Sequence, residues 1–250
     1  VPALGGVVDA LGLVGVDTET AQRCSNKISM KECLAAAGVP IAPGDVNGPS
    51  SDVMETAREI GYPVVVKPPD SSGSRGVVRV DSPEGLAEAV ALARSHTSSD
   101  QLLVERCLLG TEFGAQAFVV GSELQAVYLH DDVLHETGVH TVPVGHTLPC
   151  SLSPTSAELA TLVVKEAIVA LGVVDAAVNV DLMLVGDQPF VLEVACRAGA
   201  TCLPELVGLV GGFDVYEELV RLAVTGFADF RLRGNGRVAA SGHLVFTSAS

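Results

Sequence analysis

The 250-residue chain carries a formal net charge of -15 and is 48% hydrophobic. That acidity argues against non-specific nucleic-acid or anionic-membrane binding, both of which need a basic face. The composition is that of an ordered globular protein, long enough to bury a large core as one large domain or two small ones.

Residues 1–20 are rich in Gly and Val, and an apolar opening without Met reads as a cut end of something larger. They lack the basic start of a secretory leader, and no apolar run is long enough to span a bilayer, so a cytoplasmic protein is expected. The six cysteines are scattered without a CxxC pair, which suits reduced core thiols. A helix is predicted from Asn26 to Ala37, capped by Ser25 or Asn26 and stopped by Gly38. Lys27 in its first turn opposes the helix dipole, a cost that a bound anion would remove.

Ser51 opens a second helix ending at Gly61. YPVVVKP then reads as a buried strand with Lys67 at its end, and Pro68 and Pro69 prevent further pairing. The following DSSGSRGV is a loop of backbone N–H groups, hydroxyls and Arg75 suited to phosphate, although it is not the GxxxxGK[ST] loop. A helix from Ser82-Pro83-Glu84 through Arg94 follows. LLVE is a short strand, and a hairpin turns at Gly121-Ser122. Glu105 and Glu112 flank an apolar linker able to hold a flat ring while the carboxylates take its polar edges.

From His130 to Cys150 the sequence reads as irregular. His130, His135, His140 and His146 fit no compact metal motif, and a substrate-facing loop is expected. A helix from Pro154 to Leu171 leads into VDAAVNVDLMLVGDQPFVLEVACRAGATCLPEL, a hairpin around GDQP with an acid in each arm. Asp181 and Glu193 are equidistant from Asp187, so a symmetric register sets like charges face to face, a conflict that a hard divalent cation resolves. LPELVGLVGG and DVYEELVRLAVTG read as helices, the second capped by Asp214, and Arg237 to Phe246 as a last strand.

Taken in order, the helix lysine, the strand lysine before prolines, the Gly/Ser loop, VExxLxGxE and paired acids ending in ExxxR resemble the ATP-grasp superfamily of carboxylate-amine ligases, over about Thr20 to Gly226. AGATCLPELV followed by GGFDVYEELV is similar to the close of D-alanine–D-alanine ligases and related amino-acid ligases. The resemblance implies an α+β ATP-grasp fold, with two α+β subdomains of mainly antiparallel sheets gripping ATP. Residues 1–24 would be a remnant of an amino-terminal domain, 25–108 the small subdomain and 109–250 the large one.

It further implies that Lys27 and Lys67 contact the ATP phosphates, under the loop of Ser71, Ser72, Gly73, Ser74, Arg75 and Gly76. Glu105, with the backbone of Arg106 to Leu108, would hold adenine, and Glu112 the ribose. Asp181 and Glu193 would bind Mg²⁺ (or Mn²⁺), and Arg197 would stabilise an acyl phosphate, with Lys67 and Arg75 as further catalytic residues. The partners implied are a small carboxylate and an amine, a missing amino-terminal domain or subunit, and a homodimer. Ala195 departs from the ExN pattern, and Asn179, equidistant from the turn, is the expected substitute ligand. Two other readings are a non-catalytic ATP-binding module and a biotin carboxylase-type subunit that activates bicarbonate.

Overall fold

The computed structural model describes residues 1–45, 53–136, 141–233 and 236–243, the side chains of 45, 135, 136, 141 and 142 excepted. Two antiparallel sheets organise it. The smaller has the order β1 (Gly44–Asp45), β4 (Leu103–Arg106), β2 (Val64–Lys67), β3 (Val78–Val80). The larger runs β10 (Ala239–Gly242), β7 (Thr141–Leu148), β6 (Glu123–Glu136), β5 (Thr111–Val120), β8 (Ala176–Val185), β9 (Gln188–Ala195). Around them lie α1 (Pro2–Leu11), α2 (Thr18–Arg23), α3 (Lys27–Ala36), α4 (Val53–Ile60), α5 (Leu86–Arg94), α6 (Pro154–Leu171), α7 (Leu203–Gly211) and α8 (Val215–Thr225). Among the described residues no helix is long and apolar enough to cross a membrane.

Local sequence explains most boundaries. Asn26 caps α3 by accepting from the N–H groups of Ile28 and Ser29, Asp214 caps α8, and Ser153 caps α6 ahead of Pro154. Gly61 follows α4 at φ 79°, a conformation that favours glycine. The start expected at Ser51 lies outside the described residues. The helix expected from Ser82 begins as a 3-10 turn, Pro83–Gly85, and Ser82 makes no side-chain cap. The first 23 residues, for which no element was expected, hold α1 and α2.

Three packed groups form the interior. One places α6, with Met30 and Leu34 of α3, against β5, β8 and β9. Helix α3 thus packs into the core of the larger sheet. A second lies under α4, α5 and the smaller sheet, and a third packs α7 and α8 around Phe118, Tyr128 and Phe230.

Two register details place the functional side chains. First, the segment from His130 to Cys150, expected to be irregular, is largely sheet: β6 continues to Glu136 and β7 begins at Thr141. Strands with one polar face are polar at alternate positions, so such a strand and a loop look alike in sequence. His140 and the side chain of His135 lie outside the description.

Second, Asp181 does pair with Glu193, and Asn179 with Ala195. The turn itself is not symmetric about Asp187. Val185 pairs with Gln188, leaving a two-residue turn, and an irregularity between Asp181 and Leu182 adds one residue on β9. The expected pairing is therefore reached through a short turn and a bulge.

The last strand matches Ala239–Gly242 within the expected range, residues beyond 243 lying outside the described part. Phe230 is fully buried and stacks on Phe118 with centroids 4.3 Å apart. Truncating it should empty the third core, so Phe230→Ala is expected to cost about 3–5 kcal/mol in urea unfolding.

Candidate functional site

A cleft of about 780 Å³ opens between the two sheets. Its charged lining includes Lys27, Lys67, Glu105, Glu112, Asp181 and Glu193, with Val65, Val77, Met183 and Leu192 as apolar walls. Lys27 is contributed by the first turn of α3, Lys67 by the end of β2, Glu105 by β4, Glu112 by β5, and the two acids by the β8–β9 hairpin.

The smaller sheet's side is held by a buried ion triad. Glu105, 2% exposed, lies between Lys67, with which its Oε1 pairs directly, and Lys31, whose Nζ is 3.3 Å from Oε2. Burial alone would raise the Glu105 pKa, but the two lysines hold it below the usual carboxylate range. Burial lowers the pKa of Lys31, with Glu105 opposing. Lys31 also donates to the Val191 carbonyl at 3.2 Å, so it ties α3 to β9 and β4. Sequence reading missed Lys31, although its spacing from Lys27, one helical turn later, was a legible signal.

On the larger sheet, Lys27 Nζ stands 3.2 Å from Glu193 Oε1 and 2.6 Å from the Ser71 carbonyl. Burial, and then Glu193, push the Asp181 pKa up to about 6. Glu112 is raised as well, by burial and then by Asp132. The face therefore carries more negative charge than its own lysine neutralises.

Asn179 is placed differently from the expectation that it offers an oxygen to a metal. The Gly199 N–H donates to Gln116 Oε1 at 2.8 Å, Gln116 Nε2 donates to Asn179 Oδ1 at 2.5 Å, and Asn179 Nδ2 donates to Asp181 Oδ1 at 2.8 Å. A backbone N–H can only donate, so it fixes the sense of both amides. The Asn179 oxygen is engaged by Gln116 and its N–H faces Asp181. Gln116 is the second residue that sequence reading missed; its place on β5 two strand periods from Glu112 puts it on the same face.

Other expected residues lie at the margin. Ser71 and Ser74 line the cleft, and the buried Ser71 Oγ has no hydrogen-bond partner. Ser72, Gly73 and Gly76 are not among the lining residues, and Arg75 folds back on Ser72, donating to its carbonyl and its hydroxyl. Arg197 is exposed, donates to the Ala198 carbonyl at 2.8 Å, and does not line the cleft. The N–H groups of Arg106 and Cys107 are engaged by the Pro43 and Pro63 carbonyls, and Leu108 follows them along the wall.

The description "ATP-grasp domain" matches residues 60–205. The chain is 31% identical over 225 residues to the uncharacterized protein y4rH of Sinorhizobium fredii, covering 88% of this chain and 46% of that protein. It is 30% identical over 252 residues to a D-alanine–D-alanine ligase of Geobacter sulfurreducens, covering 92% and 74%. The crystal structure of phosphoribosylglycinamide synthetase from Anaerococcus prevotii superposes with a TM-score of 0.77 at 28% identity, covering 99% of this chain and 62% of that one. The chain thus spans about half the length of the rhizobial relative and less than two thirds of the synthetase.

The raised Asp181 pKa gives a signed prediction. The folded state holds its proton more tightly than the unfolded chain, so between about pH 4 and 6 stability falls as pH rises, and the cost is fully present above the folded pKa. In chelator at pH 7.5, Asp181→Asn is expected to raise stability by about 2 kcal/mol in urea unfolding, a gain that disappears below pH 4.

Proposed function

The chain belongs to the ATP-grasp family, and on that premise we propose that it forms the nucleotide-binding and catalytic part of an ATP-dependent ligase. The reaction joins a carboxylate, an amino acid in this reading, to an amine through an acyl phosphate, releasing ADP and phosphate. The observation that carries the reading is the convergence of Lys27, Lys67, Glu112, Asp181 and Glu193 on one cleft between two sheets.

The cleft's charges suit the task. Phosphoryl transfer depends on positioning and on neutralising the phosphate oxygens. Lys67 is held by Glu105, but Lys31 shares that carboxylate, so the triad keeps a net positive charge facing the nucleotide. Lys27 and the unpartnered Ser71 hydroxyl give further donors. The walls formed by Val65, Val77, Met183 and Leu192 suit a flat base, with the Leu108 N–H at its edge and Glu112 for the ribose hydroxyls.

Asp181 and Glu193, two carboxylates in enforced proximity, are a hard-oxygen donor set that fits Mg²⁺. When bound there, Mg²⁺ would supply charge neutralisation to the phosphates. Asn179 holds Asp181 in place by hydrogen bonding, which accounts for a workable site beside Ala195. Arg197 is assigned to the acyl phosphate and its tetrahedral successor, and Arg75 and the Ser71 to Gly76 loop to the phosphates. Residues 25–108 and 109–250 are the proposed small and large subdomains, with residues 1–24 belonging to a preceding domain.

The test is ADP release by the full chain with MgATP, pooled amino acids and amines, followed by mass spectrometry of the products. A new amide formed with ADP supports the ligase. Nucleotide binding without turnover supports a binding module, and bicarbonate-dependent turnover a carboxylase. Within the ligase reading, Arg197→Ala is expected to lower amide formation by about 10²–10³-fold while leaving the thermal shift caused by MgATP unchanged. Glu193→Gln should lose the Mg²⁺-dependent part of that shift.

A further inference from the structure

Beside the cleft, on the same face of the larger sheet, His130, Asp132 and His146 bring three metal-binding side chains together among the described residues. Strand geometry makes the cluster. His130 and Asp132 are two residues apart on β6 and so share a face, and Asp132 pairs with His146 on β7. His130 is 1% exposed and His146 3%. Both Nδ1 atoms converge on one carboxylate oxygen, Asp132 Oδ1, at 2.9 Å and 2.6 Å.

We propose that His130 Nδ1, Asp132 Oδ1 and His146 Nδ1 form a buried site for one divalent transition-metal ion of the zinc class. Two imidazoles and one carboxylate are the donors such ions select over Mg²⁺, which prefers oxygen. Three protein ligands with a fourth position open is a common zinc arrangement, and a tetrahedron with bonds of about 2.0–2.1 Å has edges of about 3.3 Å. Each imidazole nitrogen therefore needs to part from Asp132 Oδ1 by only about 0.4–0.7 Å to admit the ion, and all three donor atoms lie within 4.8 Å of one another.

Three further observations fit. His146 Nε2 lies 2.5 Å from Thr201 Oγ1, the outer hydrogen bond expected of a ligating histidine. His130 Nε2 is buried with no partner. While both Nδ1 atoms carry protons for Asp132, that nitrogen is a stranded lone pair. If Nδ1 binds a metal, the neutral ring carries its proton on Nε2, beside Gly114.

Gly114 provides the seat for this ring: a Cβ there would stand 2.5 Å from His130 Nε2, and the other cross-strand neighbour of Gly114 is Asp181.

The test is titration of the chelator-treated full chain with Co²⁺, without nucleotide, read by visible absorption and metal content. The expected result is one equivalent with intense tetrahedral bands, displaced by Zn²⁺ and not by Mg²⁺. Asp132→Asn and His146→Gln should each weaken binding at least about tenfold. Glu193→Gln, which alters the cleft's own carboxylates, should leave the bands unchanged. Absence of the bands, or bands that persist in both ligand variants, overturns the proposal and leaves the three side chains a hydrogen-bonded network. If neither variant folds, the melting temperature of the native chain decides: a rise with micromolar Zn²⁺ and not with Mg²⁺ supports the site, and no rise overturns it.

Discussion

Two carboxylates, one on each arm of the β8–β9 hairpin, are set opposite each other by the backbone ladder. Burial and then Glu193 raise Asp181 to a pKa of about 6, and Lys27, shared with the Ser71 carbonyl, pairs with Glu193. The surrounding structure is arranged around this unfavourable pair. The bulge sets the register, α3 delivers the lysine, and the amides of Gln116 and Asn179 hold Asp181 from the other side. Such a cost is tolerable only because the hairpin's apolar face is built into the largest core, with Val178, Val180, Val191 and Val194 packed against α6.

The opposite wall resolves its charges differently. Glu105 is deeply buried but has two lysines, so the acid is satisfied and the surplus charge is positive. Because Lys31 belongs to α3 and also donates to β9, the triad ties the two sheets together through that helix. One wall is short of cations and the other of anions. A ligand that carries both an anionic chain and its own divalent cation complements the two walls at once.

Much of this was legible in the sequence, for physical reasons. The caps at Asn26 and Asp214 and the valine run before Lys67 are local signals, and the structure reproduces them. The Asp181–Glu193 pairing was legible because hairpin register follows from distance to a turn, although a turn and a bulge with compensating lengths were involved. What stayed hidden depends on pairing between distant segments. Asp132 meets His146 only because β6 and β7 are neighbours, and Gln116 meets Asn179 only across β5 and β8. Composition cannot distinguish a polar strand face from a loop, which is why β7 was missed. Side chains on mobile-looking Gly/Ser and post-strand segments, Arg75 and Arg197, are placed by local hydrogen bonds that no motif specifies.

The chain of amides from Gly199 to Asp181 has an electrostatic consequence. The Gly199 peptide, Gln116 and Asn179 are aligned head to tail, each donating to the next oxygen. Their dipoles add in series and present a partial positive end to Asp181, much as the first turn of a helix does to an anion. The acid is thus steadied by polarity and not by a counter-ion. Its formal charge is left unspent, and the full attraction of the carboxylate remains available to whatever cation enters the cleft.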